Sequence, residues 1–303
     1  MTTKGIYNTL VTQLDKLARH NRQGSFRTKD RYYEAVKRFC AYLASHYRLQ
    51  KLENISGKHL VSYVLYLQEQ GKSASTIKTD LSAIRFFHDK MSHPRYALPG
   101  NEELGVALER RRFGQQDRTW TNAEFGKLLG CAMAEGREDY ILALYLARYA
   151  GLRIHECFRM DTAAAERALR ENALTVKGKG GKVRTVPIED ERIPMMLRKL
   201  LAQTERGHKL LVPDGMPTDR AINALELFIY RYRNEVSDKD SDRRLSFHGL
   251  RHTYAAEQYT KLTEDGMSAI DAHYAVSRLL GHERADVTNI YLASVRKRGR
   301  DGE

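Results

Sequence analysis

At 303 residues the chain can hold two domains of ordinary size, and its 42% hydrophobic and 29% charged content is the balance of a soluble globular protein. Lys and Arg number 51 against 38 Asp and Glu, a formal charge of +13 that favours a polyanionic partner, because each phosphate neutralised releases condensed counterions. Three scattered cysteines (Cys40, Cys131 and Cys157) exclude a disulfide framework and a cysteine zinc site, while residues 1–20 lack a signal-peptide core and no apolar run spans a bilayer, so a cytoplasmic protein without membrane contact is expected.

The first third reads as helices. Ile6, Leu10, Leu14 and Leu17 recur at helical spacing, as do Tyr32, Val36, Phe39 and Leu43. Leu60, Val64 and Leu67 mark a third helix ended by Gly71. Ile77, Leu81, Ile84 and Met91 mark a fourth, opened by the Ser-Ala-Ser-Thr stretch at 73–76. On the opposite faces Lys72, Lys78 and Arg85 leave a basic side beside Ser75 and Thr76; a solvated charged face is the commoner cause of such a pattern, contact with DNA the sharper one. His93-Pro94 and Leu98-Pro99-Gly100 then break the pattern, and Glu109 to Arg112 read as a helix remnant leading into a polar linker near 112–118.

Thr121-x-x-Glu124 is a capping box that opens a second domain, giving expected domains of 1–113 and 114–303. Tyr140 to Ala150 is apolar nearly all round, a buried helix stopped by Gly151. Ala173 to Val176 and Val183 to Ile188 are β-like runs around Lys177-Gly-Lys179-Gly-Gly-Lys182, a hairpin with a basic tip. Helices resume from 190, interrupted by Val212-Pro213-Asp214-Gly215 and by a polar loop at 236–244, and the chain closes on the basic run Arg296 to Arg300.

A phosphodiester attacked without a metal needs fixed cations on its non-bridging oxygens, a nucleophile that can leave again, and a proton for the departing sugar oxygen. Arginine supplies a charged bidentate fork, and a phenol with a pKa near 10 is both nucleophile and leaving group. His248 and Arg251 lie three apart at a helix start with Leu250 turned to the core. Leu280-Gly281-His282 ends a helix, and Tyr291 follows on the next short one. Arg153 comes just after Gly151, with Glu156 one helical turn on to orient it.

This ordered set resembles the tyrosine recombinases of the phage-integrase family. Ala150-Gly-Leu-Arg153-Ile-His-Glu156 is similar to the family's arginine box, Val176 to Pro187 to its lysine hairpin, His248-Gly-Leu-Arg251-His252-Thr to its third box, and Leu280-Gly-His282 with Thr288 and Tyr291 to its last two. The resemblance covers essentially the whole second domain; Ser75-Thr76-Ile77 and Leu81 to Arg85 resemble the family's core-binding domain with weaker specificity.

It implies a mainly α fold with a small β-sheet: a helical, SAM-like, N-terminal core-binding domain and a mostly helical α/β catalytic domain. It further implies a metal- and cofactor-independent, site-specific DNA recombinase or integrase working through a 3′-phosphotyrosyl link, in the integration or excision of a mobile element. In that scheme Tyr291 is the nucleophile, Arg153 and Arg251 hold the phosphate, Lys179 is the general acid, and His248 and His282 assist, with Glu156 and His252 supporting. Lys72, Ser75, Thr76, Lys78, Arg85, Lys177 and Lys182 are the expected DNA contacts.

The implied partners are double-stranded recombination sites, a homotetramer in the synaptic complex and an accessory directionality factor, with nucleoid association on DNA. About 25 residues before the resembling helices are too few for a separate arm-binding domain, and the 12 residues after Tyr291 make a short, polar tail. Rival readings are a type IB topoisomerase and a non-catalytic DNA-binding regulator on the same scaffold. A zinc pair at His248 and His252 lacks a third ligand, and the Lys-Gly-Lys-Gly-Gly-Lys tip lacks phosphate-loop spacing.

Overall fold

Twelve α-helices and a two-stranded sheet account for the regular structure among the described residues of a computed structural model, which are 1–19, 26–109, 117–178, 181–239, 241, 243–281, 288, 291 and 292. The chain divides into two units, Met1–Arg111 and Arg112–Glu303. No helix of the described residues is long and apolar enough to cross a membrane.

In the first unit α1 (Thr3–Arg19), α2 (Phe26–His46), α3 (Gly57–Glu69) and α4 (Ala74–His88) turn their i, i+3, i+4 stripes onto one core. Ile6, Leu10, Leu14, Phe39, Leu43, Leu60, Val64, Leu81 and Ile84 are buried there. Ser73 caps α4 by accepting from the Thr76 amide at 3.2 Å. One expectation is corrected: α4 stops at His88, three residues before Met91, where the chain turns so that the Arg95 amide reaches the Glu53 carbonyl at 2.9 Å. Farther on, Gln68 Nε2 donates to the Ala107 carbonyl and Lys78 Nζ to that of Glu109, both at 2.8 Å. Of the expected helix remnant, Arg110 to Arg112 lie outside the described residues.

The second unit is built round α6 (Glu138–Ala150), whose residues from Tyr140 to Ala150 are buried on nearly every face. α5 (Asn122–Ala134), α9 (Arg192–Leu201) and α11 (Phe247–Glu264) pack on it, and α10 (Thr218–Val236) packs on α5. Thr121 and Glu124 form the expected capping box of α5. α7 (Ile154–Cys157) and α8 (Thr162–Glu171) follow α6, α8 capped by Asp161. Strands β1 (Ala173–Lys177) and β2 (Val183–Pro187) pair antiparallel, with Leu174 opposite Val186 and Val176 opposite Arg184. α12 (Ala269–Leu280) lies against α11.

Candidate active site

Gly151 ends α6 in a left-handed turn (φ 62°), and a Cβ there would stand 2.4 Å from the Tyr254 ring. A side chain would therefore hold α11 away from the end of α6. The turn delivers Arg153 to the N-cap of α7, with Glu156 at its third position. Glu156 Oε2 accepts from the Arg153 amide at 2.8 Å, and Oε1 from Arg153 Nη1 at 3.0 Å. Arg184, reaching in from β2, adds a two-pronged pair to the same carboxylate, Nη1 to Oε1 at 2.9 Å and Nη2 to Oε2 at 2.8 Å. Its Nε donates to the Leu279 carbonyl at 3.1 Å. Burial alone would raise the Glu156 pKa, but the hydrogen bonds and charge of Arg184, then those of Arg153, outweigh it and hold the carboxylate at about 2.

Ser246 caps α11, placing His248 in the first turn and Arg251 in the next. The Arg251 side chain is fully enclosed: Nη1 donates to the Gly151 carbonyl, Nη2 to that of Leu280, and Glu156 Oε2 lies 4.0 Å away. Burial draws its pKa down to about 10, which leaves it cationic at neutral pH. The Tyr291 ring lies over this guanidinium, 5.6 Å from its carbon, and stacks on His252 at 4.4 Å. The Tyr291 hydroxyl is 3.2 Å from His248 Nε2. The surrounding protein, then the positive charges of Arg251, Arg153 and Arg118, lower the His248 pKa to about 4. His248 keeps solvent access, is neutral at pH 7 and is placed to take a phenolic proton.

The chain entering this unit is fastened beside the same turn. The Trp120 amide donates to Thr253 Oγ1 at 2.8 Å, its indole to the Ser246 carbonyl at 3.0 Å, and Arg243 Nη1 to the Thr119 carbonyl at 2.7 Å.

Of the expected residues, Arg153, Glu156, His248, Arg251, His252 and Tyr291 come together, whereas Lys179 and His282 lie outside the described residues. Lys177 and Lys182 are exposed on either side of the hairpin turn. In the first unit Lys72 and Ser75 are exposed, and Thr76 and Lys78 half-buried. Arg85 is turned to its own unit, donating to the Pro99 carbonyl and to Asn101 Oδ1, both at 2.8 Å. Among the described residues no group of three or more His, Cys, Asp or Glu could hold a metal ion.

Sequence reasoning passed over Arg184 and Trp120. Arg184 carried a signal: on a strand it shares a face with Val186, two residues on, whose side chain is buried. Trp120 carried none beyond its being the only tryptophan.

The family described as the phage integrase family matches residues 121–298, and the phage integrase N-terminal SAM-like domain matches residues 12–92. Over 282 residues the chain is 25% identical to the tyrosine recombinase XerD of Halalkalibacterium halodurans, covering 89% of this chain and 88% of the relative. Its fold is similar to that of a lambda integrase dimer bound to a COC′ core site (TM-score 0.61, 18% identity, 93% of this chain and 76% of that one). It is also similar to that of the Tn1549 transposon integrase bound to circular intermediate DNA (TM-score 0.59, 17% identity, 99% of both chains). With the larger match spanning more than half of the sequence, this chain belongs to the phage integrase family of tyrosine recombinases.

Proposed function

We propose that the protein cleaves and rejoins DNA at specific sites through a 3′-phosphotyrosyl intermediate on Tyr291. The observation that carries this reading is the 3.2 Å contact between the Tyr291 hydroxyl and His248 Nε2, with two guanidinium groups held on Glu156 and beneath the tyrosine ring. Tyr291 Oη bonds to phosphorus while the bond to the sugar 5′ oxygen breaks. The phenolic proton passes to neutral His248, and the 5′ oxygen takes a proton from the hairpin lysine, Lys179. Arg153, whose side chain is 27% exposed, meets the phosphate from the solvent side. Arg251 reaches it once the Tyr291 ring swings off its guanidinium. His282 adds a phosphate contact. The ester keeps the energy of the broken bond, so resealing needs neither metal nor nucleotide.

The first unit serves as the core-binding domain, with Lys72, Ser75, Thr76 and Lys78 on its DNA-facing side and Arg85 bracing that side from within through Pro99 and Asn101, and Lys177 and Lys182 grip DNA from the hairpin. The biological reaction is integration or excision of a mobile element by a homotetramer on two sites, with an accessory factor setting direction. Support comes from the fold shared with a transposon integrase on circular intermediate DNA and with lambda integrase on a core site. The test is covalent capture on nicked duplexes tiled across an element's ends, where the short product strand diffuses away and the adduct accumulates. The wild-type protein should give a detergent-resistant adduct on particular duplexes, and Tyr291→Phe should bind the same duplexes and give none. Specific binding without an adduct from either protein would point to a DNA-binding regulator, and relaxation of plasmids without a preferred site to a topoisomerase.

A further inference from the structure

On β2, inside the hairpin run, Arg184 holds the Glu156 carboxylate with both terminal nitrogens, and it has been given no role of its own. Its three donating nitrogens serve two partners. Nη1 and Nη2 occupy both oxygens of Glu156, at 2.9 and 2.8 Å, and Nε holds the Leu279 carbonyl at 3.1 Å, at the end of α12. Glu156 Oε1 holds Arg153 Nη1 at the same time, at 3.0 Å. Arg153 is thus aimed by a carboxylate that is itself aimed by Arg184. The chain makes room for this: Gly281 takes a left-handed turn (φ 64°) directly over the side chain, and a Cβ there would lie 3.0 Å from Arg184 Cδ.

A single carboxylate among three guanidinium groups, Arg251 lying 4.0 Å from it, leaves positive charge in excess. That suits an anionic partner better than it suits stability, since a buried ion pair gains little over apolar packing.

We infer that Arg184 is a positioning residue for strand cleavage, fixing Glu156, and through it Arg153, against the end of α12, without itself touching the DNA. This rests on the recombinase reading. Moving a phosphate-binding group by about 1 Å costs on the order of 100-fold in rate, whereas affinity for a long duplex is spread over many contacts.

The experiment measures single-turnover adduct formation on a nicked duplex, and the Kd for the same duplex, for wild type, Arg184→Ala and Arg184→Lys. Each duplex carries at the cleaved position either the natural phosphodiester or a methylphosphonate, which has no negative charge for Arg153 to meet. Thermal melts confirm folding, and Lys keeps a cation beside Glu156 while lacking the fork. The expected result is a loss of about 100-fold for Arg184→Ala and about 10-fold for Arg184→Lys on the phosphodiester, with Kd within about 3-fold of wild type. On the methylphosphonate the loss for Arg184→Ala shrinks below about 10-fold. Equal losses on both linkages, a loss that lies in Kd, or no loss would each overturn the role given to Arg184 while leaving the recombinase intact. No adduct from the wild type on any duplex would overturn the recombinase reading, and this inference with it.

Discussion

Glu156→Gln tests the electrostatic centre of the site. Four N–H donors point at this carboxylate, the Arg153 amide, Arg153 Nη1 and both terminal nitrogens of Arg184, and none of its surface is exposed. Glutamine keeps the size but turns an NH2 group toward guanidinium donors, and leaves Arg184, 11% exposed, without its counter-charge. Removing one partner of a buried ion pair costs about 3–5 kcal/mol.

A second magnitude comes from pH. The Glu156 pKa falls from 4.5 to about 2, a depression equivalent to about 3 kcal/mol. Because the folded value lies below the unfolded one, this stabilisation is complete well above pH 4.5 and is lost as the pH falls toward 2, with about 1 kcal/mol gone by pH 3.5. The glutamine variant has no such proton to gain. Urea denaturation of both proteins at pH 7 should therefore show a gap of about 3–5 kcal/mol, narrowing by about 1 kcal/mol at pH 3.5. A gap under about 1 kcal/mol at pH 7, or one that stays constant with pH, would refute the reasoning.

Two further outcomes follow from the same geometry. The His248 pKa lies below its unfolded value of 6.5, so the stability contributed by the neutral ring is complete above pH 6.5 and declines as the pH falls toward 4. Its ring resonances in the DNA-free protein should stay those of neutral imidazole from pH 8 to about 5.5, and a titration midpoint at 6.5 or above would contradict the cationic surroundings described for it. Gly281→Ala combines left-handed strain with a Cβ 3.0 Å from Arg184, whereas Gly136→Ala, at φ 65° in open space, carries the strain alone. Thermal or urea unfolding should find Gly281→Ala about 1 kcal/mol worse than Gly136→Ala, and equal losses would mean that Arg184 simply moves aside.

What the sequence made legible was local. Thr121 with Glu124, Gly151 after an all-apolar run, the Lys-Gly-rich turn between two β-like runs and Gly281 before a break are each set by backbone chemistry within a few residues, and each lies where the pattern puts it. Arg153 and Glu156 were readable for the same reason, since a three-residue spacing at a helix start brings the two together.

One feature depended on distant partners. Arg184 was hidden because its partners lie 28 and 95 residues away, and an arginine on a basic hairpin reads as surface until the buried face of the strand is known. α8, announced only by Asp161 and a short alanine-rich run, went unread because its buried stripe of Thr162, Ala165 and Ala168 is made of small side chains that stand out little from the alanines beside them.

The ties that converge on Glu156 and Tyr291 also say when the site comes into being as the chain folds. They close loops of 28 residues from Arg184 to Glu156, 95 from Arg184 to Leu279, 100 from Arg251 to Gly151 and 43 from Tyr291 to His248. Each loop costs entropy that is recovered only once both ends have docked, so these contacts form late, after the local helices. A ribosome-bound chain that has released α6, α7 and the hairpin holds Arg153, Glu156 and Arg184 but neither Arg251, nor the Leu279 carbonyl that ties Arg184 down, nor the tyrosine. The proposed cleavage site is therefore complete only once the last part of the second unit has folded.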